Sequence, residues 1–462
     1  MEMNYSEARE YLKNVNKLGS ILGLNTIKEL LKRLGNPQNE LKVVHIAGTN
    51  GKGSIMTFVQ NILMESGYKV GRYCSPAVFN EREIIRINDE YISEEQSADL
   101  LTRIKEKCDS MYSEGLPHPT SFEIETAEAL MFFKEQNCDI ALIECGMGGE
   151  TDATNVFEKV LCSVIATISL DHTQFLGSTI EEITKVKSGI IKENCPVVMS
   201  KQIVEAESVI KKVCKQNNSK LIIPTEQDSE NVEIDGLTTK VTYKASNNKE
   251  YILNLQALGT YQIKNAKTAV EVALVLDKAL TEKTDICDES DKNNSTGMKN
   301  NINNSGNTIE KNIKKGIEKT VWPGRMEVIS KEPLIIIDGA HNPGAVLELR
   351  KTLDLYFTNK RITFIMGVLS DKDFSKEAEI IADRAERIIT ITPNNSRGLD
   401  GHKLAETLVK YNHNVQVADS LEQAAEESID TIKENRADMI LAFGSLSYLG
   451  ELKQVVRLIC NH

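Results

Sequence analysis

Residues 43–58, VVHIAGTNGKGSIMTF, combine a short apolar run, a cluster of glycines and the start of an amphipathic segment. This order predicts a buried strand that passes through a tight turn into a helix. The common phosphate-binding loop has the pattern G-x-x-x-x-G-K-[ST]. Here only two residues separate Gly48 from Gly51, and another glycine stands between Lys52 and Ser54. The stretch therefore predicts a phosphate-binding loop with an unusual spacing.

Each residue type in this loop has a physical role. Glycines let the backbone approach a phosphate closely, and the N-terminus of the following helix offers free N–H groups and a positive dipole. Lys52 would supply a mobile positive charge for the β- and γ-phosphates, and the Ser54 hydroxyl can bind a Mg²⁺ ion. A tight turn with a solvated lysine is the simpler interpretation, but the order of strand, glycines, lysine, serine and helix favours a nucleotide site.

Around this loop, apolar strands alternate with amphipathic helices as far as about residue 280. This alternation predicts a doubly wound, mostly parallel sheet. Residues 232–257 alternate apolar and polar side chains instead, which predicts a β-meander. A second α/β block follows, in which Asn342 and Pro343 predict the start of a helix. We therefore expect an α/β protein with a P-loop-type N-terminal domain and a smaller, Rossmann-like C-terminal domain.

The predicted domains cover residues 1–322 and 323–462, with the boundary in the stretch VWPGR. Between residues 281 and 316 the chain is rich in Asn, Lys and Ser and has few large apolar side chains. Such a segment cannot bury enough surface to offset the entropy of ordering it. We therefore expect a disordered insertion at about residues 283–312.

The overall composition narrows the class of function. A net charge of −12 argues against a general nucleic-acid binder, and no apolar run approaches the roughly 18 residues of a membrane span. Nine cysteines without a C-x-x-C pair predict scattered reduced thiols. An acidic enzyme with a locally basic site for an anionic substrate remains open. We expect a cytoplasmic monomer with neither nucleic acid nor membrane as a partner.

Further stretches carry a resemblance to a known family. The loop GTNGKGS resembles that of the Mur ligase superfamily, and HIAGTNGKGS is similar to its folylpolyglutamate synthase/dihydrofolate synthase branch. Other motifs of this branch follow in order between about residues 20 and 450: CSPAVFNEREIIRIN, TSFEIETAEAL, GMGGETDATNV, ISLDHTQFLGSTIEEITKVKSGIIK, GTYQIKNAKTA, WPGRME, DGAHNP and GVLSDKD. Because so many motifs stand in register, the chain is identified as a member of this branch.

Three places depart from the pattern of the family. Ala77 and Val78 stand where the family usually has His-Leu, Glu150 stands where it often has Arg, and Tyr261 replaces a His. The first two departures lie in the region that the resemblance assigns to the pterin and the acyl acceptor. They therefore bear on substrate preference and not on the chemistry of ATP.

The resemblance implies a set of ATP contacts from both domains. Arg325 can reach a phosphate with its forked donors. Asp338 ends a strand, where ligands bind in open α/β sheets, and suits a ribose hydroxyl, while His341 can stack on the nucleotide or bond to it. ATP is therefore expected in a cleft between the domains. The full predicted set is Asn50, Gly51, Lys52, Gly53, Ser54, Asn265, Arg325, Asp338 and His341.

The resemblance also implies two Mg²⁺ ions, which prefer oxygen ligands and keep several waters. By residue type alone, Glu123 is as well explained by favourable pairing with the dipole of its own helix, and His172 by ordinary hydrogen bonding. The resemblance makes both of them metal ligands, and it implies a carbamate on Lys187 that would give this side chain oxygen donors. The predicted ligands are Ser54, Ser75, Glu123, His172 and Lys187, and the predicted catalytic residues are Lys52, His172 and Lys187.

The reaction that the resemblance implies is an ATP-dependent amide ligation. A carboxylate of a folate-type substrate would take the γ-phosphate of ATP, and L-glutamate would then attack the acyl phosphate. We expect both tetrahydrofolate and dihydropteroate as acceptors. Three alternatives stay open: a folylpolyglutamate synthase only, another Mur-type amino-acid ligase, or a P-loop regulator without ligase activity. The predicted substrate contacts are Ile21, Leu22, Gly23, Leu24, Asp152 and Thr154.

Overall fold

The computed structural model describes residues 2–15, 23–225, 232–287 and 308–460. Within these ranges the chain forms an eight-stranded sheet, a three-stranded sheet and a six-stranded sheet. Most neighbouring strands in the two larger sheets are parallel, and helices connect them. The α/β class predicted from the sequence is therefore confirmed.

The eight-stranded sheet contains the stretch that leads into the glycine loop. Its strands are β1 (Val43–Ala47), β2 (Val70–Tyr73), β3 (Ile85–Ile87), β4 (Glu90–Tyr91), β5 (Ile140–Glu144), β6 (Cys162–Ile165), β7 (Val197–Met199) and β8 (Leu221–Ile222). They lie in the order β4-β3-β2-β5-β1-β6-β7-β8, so that β5 and β6 flank β1, both parallel to it. Because the carboxyl ends of these strands meet at one edge, that edge is the expected place for a ligand.

Ten helices of the described ranges belong to this part of the chain. They are α1 (Tyr5–Val15), α2 (Asn25–Arg33), α3 (Lys52–Glu65), α4 (Glu94–Ser113), α5 (Ser121–Glu135), α6 (Thr173–Leu176), α7 (Ile180–Lys187), α8 (Val204–Gln216), α9 (Thr260–Cys287) and α10 (Ile309–Lys319). Helices α4, α5 and α7 each begin with a capping box, in which a Ser or Thr and the residue three positions later satisfy each other's backbone N–H groups. No helix that the structure describes is long and apolar enough to cross a lipid bilayer.

The predicted β-meander is confirmed. Strands β9 (Val232–Asp235), β10 (Thr238–Lys244) and β11 (Glu250–Leu255) form an antiparallel sheet in the order β11-β10-β9. Alternate side chains such as Val241, Tyr243 and Leu253 are buried in one core with residues of α3 and α9. The period-two pattern of the sequence therefore places one face of the meander on that core.

The six-stranded sheet forms the second α/β block. Its strands are β12 (Glu327–Lys331), β13 (Leu334–Ile337), β14 (Ile362–Met366), β15 (Arg387–Thr390), β16 (Val415–Val417) and β17 (Met439–Phe443), in the order β12-β13-β17-β14-β15-β16. Only the pair of β12 and β13 is antiparallel. The sheet begins just after residue 322, and a domain boundary between residues 322 and 323 remains our proposal.

The helices of this block are α11 (Pro343–Tyr356), α12 (Phe374–Ile381), α13 (Gly401–Leu408), α14 (Leu421–Lys433) and α15 (Leu446–Cys460). The predicted start of α11 is confirmed, since Pro343 is its first residue and the side chain of Asn342 accepts a hydrogen bond from the backbone N–H of Ala345 at 2.9 Å.

The expected disordered insertion at about residues 283–312 is wrong at both of its ends. Helix α9 continues to Cys287, and α10 begins at Ile309. The central residues, 288–307, lie outside the described ranges. The composition of the whole segment therefore did not indicate the last residues of α9 or the first residues of α10.

Helix α10 is ordered because it has a narrow apolar face. Ile309, Ile313 and Ile317 recur at a spacing of four residues and are fully buried in the core that α10 shares with α3 and α9. A Cβ on Gly316 would lie 2.5 Å from the Cα of Ile62, so glycine permits close contact of α10 with α3. An average over polar neighbours does not reveal such a face, whereas helical periodicity does.

Candidate active site

The phosphate-binding loop runs from the end of β1 to the start of α3, and its geometry requires glycine. Gly48 and Gly51 have φ angles of +150° and +91°. A Cβ on Gly48 would lie 2.6 Å from the Cβ of Ala166, and one on Gly51 would lie 2.5 Å from Oδ1 of Asn265. The loop is further held by the carbonyl of Thr167, which accepts hydrogen bonds from the backbone N–H groups of residues 49 and 50 at 2.9 and 3.0 Å.

A cavity of about 660 Å³ lies between the two α/β blocks, with this loop in its wall. It brings together every predicted ATP contact and every predicted metal ligand except Glu123. Those residues are Asn50, Gly51, Lys52, Gly53, Ser54, Ser75, His172, Lys187, Asn265, Arg325, Asp338 and His341. We call this space the nucleotide cavity.

Glu144 also lines this cavity, and the sequence interpretation missed it. It ends β5, opposite Ile46 of β1, and only 6% of its side chain is exposed. One carboxylate oxygen lies 3.5 Å from Nζ of Lys52, and the other accepts a hydrogen bond from the thiol of Cys74 at 2.6 Å. The available signal was an acidic residue at the carboxyl end of a buried strand, DIALIE, which pairs with the strand before the loop.

Glu123, by contrast, lies away from the nucleotide cavity. Its carboxylate accepts a hydrogen bond from the backbone N–H of Thr120 at 2.7 Å, and its own N–H donates to the Thr120 hydroxyl at 3.2 Å. This is the capping box of α5. The structure therefore does not bring Glu123 together with Ser54 and Lys187, and supports the alternative in which it stabilises its own helix.

Lys187 is buried at the end of α7. Its Nζ donates a hydrogen bond to the carbonyl of Gly48 at 3.0 Å. Burial, and then the positive charge of Lys52, lower the pKa of Lys187 to about 8. The amine is therefore much easier to deprotonate than that of a solvated lysine.

A network of polar side chains joins the loop to the second block. Asn50 and Asn342 exchange two amide hydrogen bonds of 3.2 and 3.1 Å. The amide of Asn342 also donates to Asp171 at 3.1 Å, and Lys372 donates to the same carboxylate at 2.7 Å. Burial alone would raise the pKa of Asp171, but Lys372 and two histidines outweigh it and hold the pKa at about 2. An ionised Asp171 thus sits next to His172, whose half-exposed ring has its pKa lowered by burial.

Three donors of the protein hold the carboxylate of Asp338. Its carboxylate accepts hydrogen bonds from the Tyr261 hydroxyl at 2.7 Å and from the backbone N–H groups of Met326 and Ala340, both at 2.8 Å. Burial raises the pKa of Asp338, and the charge of Arg325 opposes this rise. The departure at Tyr261 therefore alters the surroundings of a predicted ATP contact.

His341 presents a neutral ring to the cavity. Its Nδ1 lies 2.7 Å from the carbonyl of Gly339, which can only accept, so Nδ1 carries the proton and Nε2 is an acceptor. Burial, followed by the charge of Lys372, lowers the pKa of His341 to about 4. The ring is therefore uncharged at neutral pH and can accept a hydrogen bond from a bound ligand.

A second cavity, of about 520 Å³, adjoins the first. Both cavities share four wall residues: Ser75, Pro76, Gly146 and Met147. The wall also contains the ring of Phe122, which the sequence interpretation did not single out. Its charged residues are Arg9, Glu81, Glu123, Glu125 and Asp152. We call this space the acceptor cavity.

The predicted substrate contacts fall into three groups. Gly23 and Asp152 line the acceptor cavity. Thr154 lines neither cavity, because it is fully buried with its hydroxyl 2.9 Å from Nε2 of His45. Leu24 precedes the first residue of α2, and Ile21 and Leu22 lie outside the described residues.

The part of the chain that the structure describes holds no cluster of three or more His, Cys, Asp or Glu side chains arranged to bind a metal ion. Mg²⁺ in nucleotide sites commonly takes only one or two carboxylates and completes its shell with water and phosphate oxygens. The nucleotide cavity contains a set of this sparse kind, the carboxylate of Glu144 and the hydroxyls of Ser54 and Ser75, besides the carboxylates of Asp171, Asp338 and Glu348.

Comparison with known proteins defines the class first. The chain matches the Mur ligase middle domain over residues 46–273 and the glutamate ligase domain of Mur ligases over residues 324–446. The protein is therefore an ATP-dependent ligase of the Mur type. The alternative of a P-loop regulator without ligase activity is set aside.

Full-length relatives define the family. The chain is 30% identical over 461 residues to the dihydrofolate synthase/folylpolyglutamate synthase of Bacillus subtilis (strain 168), with 97% of this chain and 98% of that protein covered. It is also 30% identical over 457 residues to the folylpolyglutamate synthase of Lacticaseibacillus casei, with 98% and 99% covered. The chain belongs to the dihydrofolate synthase/folylpolyglutamate synthase family, as the sequence motifs predicted.

Solved structures agree with this assignment. The folylpolyglutamate synthase of Thermotoga maritima superposes with a TM-score of 0.77 at 32% identity, covering 98% of this chain and 96% of that one. A folylpolyglutamate synthase in complex with AMPPCP and folate superposes with a TM-score of 0.79 at 28% identity, covering 98% and 100%. ATP as a co-substrate and small molecules as the other substrates are consistent with these relatives.

Proposed function

We propose that this ligase adds L-glutamate both to dihydropteroate and to reduced folates. The observation that carries the proposal is the pair of adjoining cavities with four common wall residues. One cavity contains the phosphate loop, and the other, of about 520 Å³ with the ring of Phe122 in its wall, is large enough for a ring system. A single elongated acceptor can therefore lie in both.

The charges of the two cavities determine which end of the acceptor lies in which cavity. The acceptor cavity has four carboxylates and one Arg in its wall, together with the ring of Phe122. An anionic glutamyl tail would be repelled there, whereas a neutral pterin is rich in N–H donors and can stack on an aromatic ring. The pterin ring of the acceptor therefore enters the acceptor cavity, and the carboxylate at the other end of the acceptor points towards Lys52.

The proposed reaction has two steps. The acceptor carboxylate attacks the γ-phosphorus of ATP, so that an acyl phosphate forms and ADP leaves. The α-amine of L-glutamate then attacks the acyl carbon, loses a proton, and phosphate leaves as the amide forms. Phosphoryl transfer depends mainly on positioning and charge stabilisation. We assign these tasks to Lys52 and Arg325, which reach the nucleotide cavity from opposite domains.

We infer two Mg²⁺ ions, with Glu144 in place of Glu123 among the ligands. The buried Glu144 carboxylate beside Lys52 fits a hard cation, and the hydroxyls of Ser54 and Ser75 line the same cavity. His172 and a carbamate on Lys187 complete the proposed set. When bound, Mg²⁺ would neutralise phosphate charge and orient the reacting oxygens.

A carbamate on Lys187 is supported by the surroundings of its amine. Carbon dioxide reacts with an uncharged amine, and burial favours that form of Lys187. We expect Lys187→Ala to lose nearly all ligase activity and to regain part of it with added bicarbonate or a short carboxylate. Lys185→Ala, which removes an exposed lysine from the same helix, should keep full activity. A bare Lys187 amine, found by mass spectrometry of native, fully active protein, would contradict the assignment.

The proposed dual activity is tested by product analysis. The protein is supplied with ATP, Mg²⁺ and L-glutamate, together with dihydropteroate, tetrahydrofolate or a UDP-muramoyl peptide. We expect dihydrofolate from the first acceptor, a diglutamyl product from the second and no product from the third. Turnover of tetrahydrofolate alone would leave a folylpolyglutamate synthase without the other activity. A monomeric state and a cytoplasmic location also remain part of this proposal.

A further inference from the structure

The acceptor cavity contains four carboxylates, and their hydrogen bonds decide which of them can bind a ligand. A carboxylate offers about four lone-pair positions to donors. If these positions are filled by the protein, the group shapes the cavity but cannot bind a substrate strongly. The question is therefore which carboxylate of the wall still has free positions.

Asp152 is engaged by its own loop. One oxygen accepts hydrogen bonds from the backbone N–H of Thr154 at 3.0 Å and from its hydroxyl at 2.5 Å. The other oxygen accepts from the N–H of Met147 at 2.8 Å. Three donors thus occupy most of the acceptor positions of Asp152, so its main role is to hold the loop.

Two other carboxylates are also engaged. Glu123 accepts a hydrogen bond from the backbone N–H of Thr120 at 2.7 Å. Glu81 accepts from Nε of Arg9 at 2.9 Å, and its side chain is 51% exposed. Glu123 therefore caps its helix, and Glu81 sits at the rim.

Glu125 is different. Its side chain is 21% exposed and lines the cavity, yet its contact with a described residue is an ion pair of 3.7 Å with Nη1 of Arg9. That distance is too long for a hydrogen bond. Arg9 in turn is fixed by its bond to Glu81. Among the residues that the structure describes, Glu125 is thus a partly buried carboxylate that accepts no hydrogen bond, and a guanidinium group keeps it in place.

We propose that Glu125, positioned by Arg9, binds the donor edge of the pterin and so determines which acceptors this enzyme takes. The inference rests on the proposed function, in which the pterin occupies this cavity. The 2-amino group and the adjacent N3–H of a pterin are two parallel donors. They match the two oxygens of a carboxylate in the same way as the fork of an arginine does.

The charges around Glu125 give this contact a pH dependence. Burial raises the pKa of Glu125 to about 7, Arg9 on α1 opposes the rise, and Glu81 at the rim adds to it. On α5 itself, Glu128 is buried further along and Glu123 lies in the capping box; Asp152 faces the same cavity. Two N–H donors require the ionised form, so affinity for the pterin should increase as the pH rises through about 7.

The test uses the full-length protein and two acceptors, dihydropteroate and its analogue with a 2-methyl group in place of the 2-amino group. The wild type should have a KM about tenfold to a hundredfold lower for the amino compound, the usual worth of hydrogen bonds to an ionised group. Glu125→Gln should raise the KM for dihydropteroate by a similar factor and abolish the discrimination. Its kcat and its KM for ATP should stay nearly unchanged, since Glu125 is remote from the nucleotide cavity.

Glu81→Gln is the matched control, because it removes a carboxylate of the same Arg9 cluster at the rim; it should keep the discrimination. A Glu125→Gln enzyme that still discriminates between the two acceptors would overturn the proposal. Absence of discrimination in the wild type would overturn it as well, even if the variant failed to fold. If the wild type used neither dihydropteroate nor tetrahydrofolate, the proposed function itself would fail, which is a distinct outcome.

Discussion

Replacing Lys52 by Ala should lower kcat about a thousandfold, because the loss of a single preorganised charge or donor from a transition state costs about 10²–10³ in rate. Lys52 is the first residue of α3, and its side chain is one of the cations that line the nucleotide cavity. Its Nζ contacts the carboxylate of Glu144 and the carbonyl of Thr49, at 3.5 and 3.4 Å.

The variant should remain folded. The carboxylate of Glu144 loses its ion pair but still accepts a hydrogen bond from Cys74. Phosphate release and circular dichroism are measured together, with Lys42→Ala as the control, because Lys42 is an exposed lysine just before β1. A folded Lys52→Ala enzyme with normal turnover would remove the phosphate loop from the mechanism.

Replacing Glu144 by Gln should have the second large effect, an increase of at least about tenfold in the Mg²⁺ concentration needed for half-maximal activity. Even partners that only orient a metal ligand change metal affinity by about 10- to 100-fold. The substitution keeps the size of the side chain and the acceptor for Cys74 while it removes the charge.

Glu123→Gln is the matched comparison for Glu144→Gln. It changes the same functional group in a carboxylate that caps α5 away from the nucleotide cavity. Its Mg²⁺ requirement should equal that of the wild type, although its KM for the acceptor can change. If Glu123→Gln raised the Mg²⁺ requirement and Glu144→Gln did not, the metal ligands predicted from the motifs would be correct, and the ligand set with Glu144 would be wrong.

Much of the fold could be predicted because it depends on short-range patterns. Apolar runs predicted several strands in each large sheet, period-two alternation predicted the meander, and Asn342 with Pro343 predicted the start of α11. The glycine spacing of the loop was equally informative, since Gly48 and Gly51 stand where a Cβ would collide with neighbouring residues.

The parts that could not be predicted depend on contacts between distant segments. Glu144 is one acidic residue at the end of a strand, and only the pairing of β5 with β1 places it beside Lys52. Glu123 has the right residue type, but the local capping box uses its carboxylate. No sequence motif indicates the role of Glu125. Its free acceptor positions can be recognised only once the hydrogen bonds of the neighbouring carboxylates are known.

In the proposed reaction, the acceptor carboxylate itself takes the phosphate from ATP. Dihydropteroate whose two carboxylate oxygens are ¹⁸O shows this transfer when the released phosphate is analysed by mass spectrometry. We expect one ¹⁸O atom in each phosphate and one retained in the new amide, with ADP as the nucleotide product. Unlabelled phosphate with the lost ¹⁸O atom in water, or ¹⁸O in AMP with release of pyrophosphate, would exclude the acyl phosphate.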